Sequence, residues 1–593
     1  MKQFFKMTFA TVAGIILFMV IMGILFAMSL VGMVASGSST QSVEKNSVMV
    51  LNLNATLNER AESTNPLALL QGDNSENIGL DQVLDAIAKA KENDDIKGIY
   101  IEAGMFMNDS PASLTTLRRA LADFRKSGKW IIAYGDQYTQ GSYYVCSVAD
   151  KVYVNPQGMI DWHGMASQPI FLKDAMAKFG VKMQLAKVGA YKSAPEMYTA
   201  DKMSDANREQ VTAYITGIWQ NMVKDVSESR KISVDSLNAY ADRLITFSTT
   251  EEYKKLKLID GTMYSEQVKE EVRKMLKIDE DDAIHQLSIA DMGNVKRGHS
   301  EGDEIAVYYA VGEIVDEVSG MMPGGEQQIV AKDVCRDLAQ LADNDDVKAV
   351  VLRVNSPGGS AYASEQIWHA IELLKQKKPV VVSMGGLAAS GGYYISCNSQ
   401  WIVAEPTTLT GSIGIFGMFP DVSGLLTDKL GVKFDEVKTN RNSGFGTRAR
   451  PFNDEEMGYL NTYIQRGYDL FRKRVADGRK LPVEEVEKVA QGHVWLGQDA
   501  LGIKLVDELG GLEKAVAKAA KLAKLEKYHT VGYPGQPDFF EQLMANTAAQ
   551  KGNYLDEQLR LQLGELYQPV MLLRDLSHRQ AIQARLPFYP NIH

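Results

Sequence analysis

Hydrophobic and polar positions alternate in blocks along most of the chain. Short runs of Val, Ile and Leu, such as Ala349–Val354, Val380–Ser383 and Trp401–Ala404, are separated by stretches with helical periodicity, such as Ser364–Lys377. Continuous apolar runs of this length predict strands buried on both faces, and their alternation with helices predicts an α/β domain with much parallel sheet. Residues 204–230 and 454–478 read as long amphipathic helices.

The amino-terminal pattern is different. No charged residue occurs from Met7 to Val43, and Val12 to Val34 is almost wholly apolar. A helix needs about 20 apolar residues to cross a bilayer core, and a cleaved signal peptide has an apolar region of only roughly 7–15. The segment 7–35 is therefore expected to be a transmembrane signal anchor. Lys2 and Lys6 precede it, which places residues 1–6 in the cytoplasm and everything beyond about residue 44 outside. Cleavage near Ala35 is the minor alternative. Residues 36–46 read as a linker, polar from Ser36 to Thr40.

The remainder is written twice. Asp94-Asp95-Ile96-Lys97-Gly98-Ile99-Tyr100-Ile101 recurs as Asp345-Asp346-Val347-Lys348-Ala349-Val350-Val351-Leu352, at an offset of about 250 residues. Gly141-Ser142-Tyr143-Tyr144-Val145 recurs as Gly391-Gly392-Tyr393-Tyr394-Ile395, and Lys257-Leu258-Ile259-Asp260 as Lys504-Leu505-Val506-Asp507, at nearly the same offset. A constant offset of this kind predicts two copies of one domain. They are expected over 47–300 and 301–530, with a carboxy-terminal extension over 531–593.

Composition narrows the function. Charged residues are 23% of 593 and the net charge is −10, which gives no footprint for nucleic acid. Three cysteines make no disulfide framework. The histidines and cysteines show no metal-ligand spacing, and no phosphate-loop pattern occurs, so neither metal nor cofactor is expected.

The two copies diverge where chemistry would sit. Ser390 lies in Met384-Gly385-Gly386-Leu387-Ala388-Ala389-Ser390-Gly391-Gly392-Tyr393-Tyr394, after an apolar run and before a predicted helix. A serine at a strand-to-helix turn among glycines is exposed to substrate and close to free N–H groups. The first copy has Gln140 in its place. It also has Gly104-Met105-Phe106-Met107-Asn108-Asp109 where the second has Asn355-Ser356-Pro357-Gly358-Gly359-Ser360. A purely structural turn gives no reason for both losses in one copy, so Ser390 is the candidate nucleophile. Its base is open on the residues alone. His369 reads as a helix-face residue, and no histidine lies between it and His493. A lysine made neutral by burial is the alternative.

Gly189-Ala190-Tyr191-Lys192-Ser193-Ala194, the Asn-Ser-Pro-Gly-Gly-Ser motif at 355–360, Ala388-Ala389-Ser390-Gly391-Gly392-Tyr393-Tyr394 and Thr410-Gly411-Ser412-Ile413-Gly414 occur in that order. In these four motifs the chain resembles the bacterial signal peptide peptidase A family, in its long two-repeat (protease IV) form. The resemblance implies tandem crotonase/Clp-protease-like domains of ββα units and a Ser/Lys dyad. Carried onto this sequence, it makes Ser390 the nucleophile, Lys192 the general base and Ser412 the residue that orients the lysine. Position 443 of the second copy is a serine, not a second lysine. Lys182 and Lys187 are expected to be a solvated charged edge. The amides of Gly359 and Gly391 are expected to form the oxyanion hole, with Gly358 as the substitute for Gly359. The implied partners are peptide substrates (remnants of signal peptides), the bacterial inner membrane and further copies of the chain in a ring such as a tetramer. A membrane-anchored scaffold or chaperone and an acyl-thioester hydrolase are the competing readings.

Overall fold

The computed structural model describes residues 42–60, 76–108, 110–296, 302–317, 327–535 and 582–585, with scattered residues between 6 and 22. The expected anchor over 7–35 lies mostly outside the described residues, and among those described no helix is long and apolar enough to cross a membrane.

Each half of the chain builds a sheet of parallel strands, the second adding one antiparallel strand, Val494–Leu496. The first runs in the order Gln286–Leu287, Ser47–Asn52, Ile96–Glu102, Trp130–Tyr138, Lys151–Ile160, Gly261–Thr262. In the second, Tyr528–Tyr533, Asp303–Val311, Val347–Ser356 and Val380–Ala389 lie side by side, and Val380–Ala389 then pairs with both Trp401–Ala404 and Leu409–Gly411. The strand sequence of one sheet repeats that of the other, as the internal repeat predicts.

The apolar runs are continuous because each strand feeds two cores. In the second half, Ile305, Val307, Ala349, Val351, Val381 and Val403 face the helix Leu512–Ala523. Their neighbours Ala306, Tyr308, Val350, Leu352, Val380 and Val382 face the larger core under the helices Ala331–Asp343 and Ala361–Lys375. Alternate side chains point to opposite faces, so a strand covered on both sides is apolar at every position. The two long helices are Asp205–Arg230 and Asp454–Arg479. Ser204 and Asn453 cap them by accepting from the Asn207 and Glu456 amides.

Two contacts between the halves matter for the site. The strand Lys182–Lys187 of the first half pairs antiparallel with Phe416–Asp421 of the second, from Phe416↔Lys187 to Asp421↔Lys182. Ion pairs to buried carboxylates also cross the boundary. Arg353 Nε lies 2.6 Å from Glu59 Oε1, both side chains being buried. Arg119 holds both oxygens of the fully buried Glu405 at 2.7 and 2.6 Å.

The Pro-Gly-Gly segment reads as a turn in sequence but is a short strand, Gly358–Ser360. Its backbone finds partners on both sides, Ile314 at Gly359 on one and residues 583–585 on the other.

Candidate active site

Ser390 ends the strand Val380–Ala389 and caps the helix Gly391–Ser396. Its backbone is held at φ 55°, ψ −114°, a conformation that costs on the order of 1–3 kcal/mol in a non-glycine residue. Two hydrogen bonds hold it there. The Ser390 amide donates to the Gly411 carbonyl at 2.8 Å, and the Tyr394 amide donates to the Ser390 carbonyl at 2.8 Å. The turn aims Oγ away from the helix and towards the first half of the chain.

Lys192 comes from that first half. It follows the strand Lys182–Lys187, whose pairing with Phe416–Asp421 delivers the next loop to the Ser390 turn. The stem of the lysine runs between two glycines. A methyl group at Gly492 would sit 2.6 Å from Lys192 Cβ, and one at Gly414 would sit 3.2 Å from Cδ. The Tyr191 amide donates to the Gln491 carbonyl at 3.0 Å, locking the loop to the second half.

Lys192 Nζ lies 2.7 Å from Ser390 Oγ, 3.1 Å from Ser412 Oγ and 3.3 Å from the Ser412 carbonyl. Lys192 and Ser390 are both fully buried. Among the described residues no carboxylate balances the lysine, and burial pushes its pKa well below the ordinary lysine value. A neutral amine has two N–H groups and one lone pair. Ser412 supplies acceptors for both N–H groups, which leaves the lone pair free for the Ser390 hydroxyl. Ser412 itself has φ 49°, and its amide donates to the His493 carbonyl at 2.7 Å.

The histidines do not take this place. His369 is exposed on the helix Ala361–Lys375. His493 stacks on Trp495 at 3.9 Å between ring centroids and lies against Tyr191. Its contribution is its backbone carbonyl, which holds Ser412. Lys182 and Lys187 are exposed at the strand edge, and Ser443 is exposed in a loop.

Of the candidate oxyanion donors, Gly358 already donates its amide to Ser356 Oγ at 3.1 Å. The Gly391 amide faces the bare Cα of Gly358, where a methyl group would lie 2.7 Å from the nitrogen. In the first half, Gln140 fills the position of Ser390. Its Oε1 accepts from the His163 and Gly164 amides at 3.1 and 3.0 Å, so that turn is closed by its own side chain.

Sequence reasoning passed over Gln210. It lies on the helix Asp205–Arg230, and its Nε2 donates to the Tyr191 carbonyl at 3.1 Å and to Ser193 Oγ at 3.0 Å. Its Oε1 accepts from the Val494 amide at 3.1 Å. It therefore ties both sides of the Lys192 loop to the strand beside Ser412. A buried glutamine in a long helix reads like any other helix position, and only the fold marks it out. Glu59 is a second such residue. With Arg353 it sits beneath Asn355, whose Oδ1 accepts from the Leu387 amide at 2.9 Å.

Both halves of the chain match known families. Residues 123–279 and 372–526 match Peptidase family S49, one segment in each half, and residues 302–401 match Clp protease. The chain is 35% identical over 547 residues to Protease 4 of Salmonella typhi, covering 89% of this chain and 87% of that one. It is 34% identical to Protease 4 of Haemophilus influenzae, over 84% of this chain and 83% of that one. The chloroplastic serine protease SPPA of Arabidopsis thaliana is 29% identical over 82% of this chain and 70% of its own.

Proposed function

The chain belongs to peptidase family S49 and is a serine protease with tandem Clp-protease-like α/β domains, and from that premise we propose that it cleaves peptides with a Ser390/Lys192 dyad assembled from its two halves. The observation that carries this reading is the 2.7 Å approach of Lys192 Nζ to Ser390 Oγ in a fully buried setting, with no counter-charge among the described residues.

In this reading neutral Lys192 accepts the Ser390 proton as Oγ attacks the substrate carbonyl carbon. The oxyanion rests on the amides of Gly359 and Gly391, since the Gly358 amide is engaged by Ser356. The Lys192 ammonium then protonates the departing amine. Water, deprotonated by the same lysine, hydrolyses the ester and restores Ser390. Ser412 accepts from the lysine throughout and fixes the direction of its lone pair.

The substrates we propose are short hydrophobic peptides, in particular remnants of signal peptides. Anchoring through residues 7–35, with 1–6 in the cytoplasm, residues 47–300 and 301–530 as outward-facing domains and 531–593 as an extension, would bring the dyad close to them. The almost wholly apolar run from Val12 to Val34 supports the anchor. We also propose that the chain works as a homo-oligomer in the bacterial inner membrane. Membership of a peptidase family argues against the scaffold and thioester-hydrolase alternatives.

The deciding experiment compares the full chain with its Lys192→Ala variant in detergent, on a fluorogenic apolar peptide at neutral pH. Loss of turnover in a variant with an unchanged circular dichroism spectrum is expected. Turnover that survives the substitution would mean a different base.

A further inference from the structure

The Lys192 loop is closed into a ring of hydrogen bonds by one side chain. The Tyr191 amide, just before the lysine, donates to the Gln491 carbonyl at 3.0 Å. Further along the same segment of the second half, the Val494 amide donates to Gln210 Oε1 at 3.1 Å. Gln210 Nε2 donates to the Tyr191 carbonyl at 3.1 Å and completes the circuit. Both main-chain groups of Tyr191 are therefore held, the N–H by the second half directly and the C=O through Gln210.

The segment 491–494 is the one on which the site leans. The bare Cα of Gly492 packs against Lys192 Cβ. The Gly492 amide donates to the Ile413 carbonyl at 2.8 Å, and the His493 carbonyl accepts from the Ser412 amide at 2.7 Å. Val494 pairs with Gly411, whose carbonyl holds the Ser390 amide. The strand pairing that joins the halves ends at Phe416↔Lys187, short of the lysine, and continues only as a 3.3 Å bond from the Val188 amide to the Ile415 carbonyl. Beyond that point a single bond at the Tyr191 amide would let the loop pivot. Gln210 supplies the second tether.

The glutamine is itself held. It is buried on the helix Asp205–Arg230, one turn after Asn207, and its Nε2 also donates to Ser193 Oγ at 3.0 Å and to Asn207 Oδ1 at 3.2 Å. Asn207 Nδ2 donates to Glu196 Oε2 at 2.9 Å, and Ser204 Oγ donates to Glu196 Oε1 at 2.5 Å. The titratable groups around this knot are Glu196, Glu209, which accepts from the Tyr191 hydroxyl at 3.2 Å, and His493. A glutamine donates at one atom of its end and accepts at the other. A glutamate of the same length only accepts when ionised, and a methionine does neither.

We propose that Gln210 is a positioning residue for the reaction, its side-chain amide fixing the approach of Lys192 to Ser390 by joining the two halves beside the dyad. The inference rests on the Ser390/Lys192 reading. The amide touches neither substrate nor the reacting atoms. It acts by stopping the lysine loop from turning away from the strand that holds Ser390 and Ser412.

The test is steady-state hydrolysis of a fluorogenic apolar peptide across pH by the full chain in detergent, as wild type, Gln210→Met, Gln210→Glu, Lys192→Ala and Ser390→Ala, with melting curves for each. Gln210→Met keeps the volume and removes both ends of the tether, so kcat should fall at least about tenfold while KM changes little. The loosened amine regains part of its hydration, so the acid limb of the kcat/KM profile should move to higher pH. Gln210→Glu keeps the acceptor for Val494 and loses the donor to Tyr191. Its kcat should fall as well, with the limb moved the same way because a carboxylate favours the protonated lysine. A folded variant of either kind with wild-type kcat and an unmoved limb overturns the inference, even if it melts lower, since Gln210 would then serve packing alone. Failure of both variants to fold overturns it too, by making Gln210 a residue of the fold. In those cases inactive Lys192→Ala and Ser390→Ala proteins leave the dyad standing. Turnover that survives Lys192→Ala or Ser390→Ala overturns the dyad itself, and a wild type inactive on the peptide overturns both readings.

Discussion

Lys192 Nζ stands 2.7 Å from Ser390 Oγ across 198 residues of sequence. Neither half of the chain holds both groups, so the proposed dyad exists only where the halves meet. The antiparallel pairing of Lys182–Lys187 with Phe416–Asp421 makes that meeting part of a sheet rather than a loose contact. The first half keeps the fold, has Gln140 where the second has Ser390, and supplies the lysine.

A base of this kind fixes the direction of the pH dependence. As the proposed base, Lys192 would work only when neutral, and burial holds its pKa well below the lysine value of about 10.4. The value of kcat/KM should rise with pH through the Lys192 ionisation and level off well short of the ordinary lysine range. Lys192→Arg should be inactive at every pH, because a guanidinium does not give up its proton. A pH–rate profile for both proteins checks this. Activity in the arginine variant would remove Lys192 from the role of base.

The same burial weakens the fold. In the unfolded chain the lysine is protonated at neutral pH, whereas burial disfavours the charged form in the folded site, so folding carries a penalty there. That penalty is largest below the folded-state pKa and fades as pH rises towards the unfolded value. Lys192→Met keeps the stem and removes the amine. The variant should melt above the wild type at neutral pH, by about 2–4 °C for each kcal/mol relieved in a domain of this size. The gap should close as the pH approaches the unfolded lysine value. Melting curves at several pH values would expose a variant that fails to follow this course.

Gly492→Ala tests the cradle of the lysine. The residue has φ +79°, and the new methyl group would lie 2.6 Å from the Lys192 Cβ and backbone nitrogen. Both atoms belong to the lysine or its main chain and cannot swing aside. The expected result is a folded protein whose kcat falls by at least about tenfold, since a small misplacement of a catalytic group is costly. Steady-state kinetics with a circular dichroism check would show whether kcat instead stays at the wild-type level.

Much of this was legible in the sequence. The repeat offset, the apolar runs and the contrast between Ser390 and Gln140 point to two α/β units with one nucleophile. The strand Trp401–Ala404 and the helix over 204–230 fall where the pattern puts them. What stayed hidden is non-local and polar. Glu59 and Arg353 look like surface charges until the fold buries them together, 294 residues apart. Gln210 carries no periodic signal, and Gly414 and Gly492 are bare turn glycines until the lysine stem passes between them. The strand Ile582–Arg585 is four residues long and matches neither repeat. Its place depends wholly on the two sheet edges that receive it.

The buried pair between the halves makes a separate prediction. Removing one partner strands the other charge out of water, so Glu59→Ala should cost roughly 3–5 kcal/mol of stability. Replacing both, as Glu59→Leu with Arg353→Met, should recover much of that loss. Denaturant titration of the single and double variants measures the coupling. A double variant as unstable as the single one would mean that the pair's further bonds, such as Arg353 to Ser383 Oγ at 2.9 Å, matter more than its charge.

Ser412→Ala separates orientation of the lysine from mere packing. The substitution removes one of the two acceptors of the Lys192 N–H groups and keeps the other, the Ser412 carbonyl at 3.3 Å. The lone pair is then less firmly directed at Ser390, so kcat should fall by roughly 10–100-fold while KM changes little, as expected when a group acts on proton transfer rather than on binding. The lost acceptor also favoured the protonated lysine, because a charged donor makes the stronger hydrogen bond. Its removal should move the acid limb of the kcat/KM profile to lower pH. A serine that served only to fill space would, on removal, destabilise the protein without moving that limb. The pH profile of the variant, set beside its melting temperature, distinguishes the two.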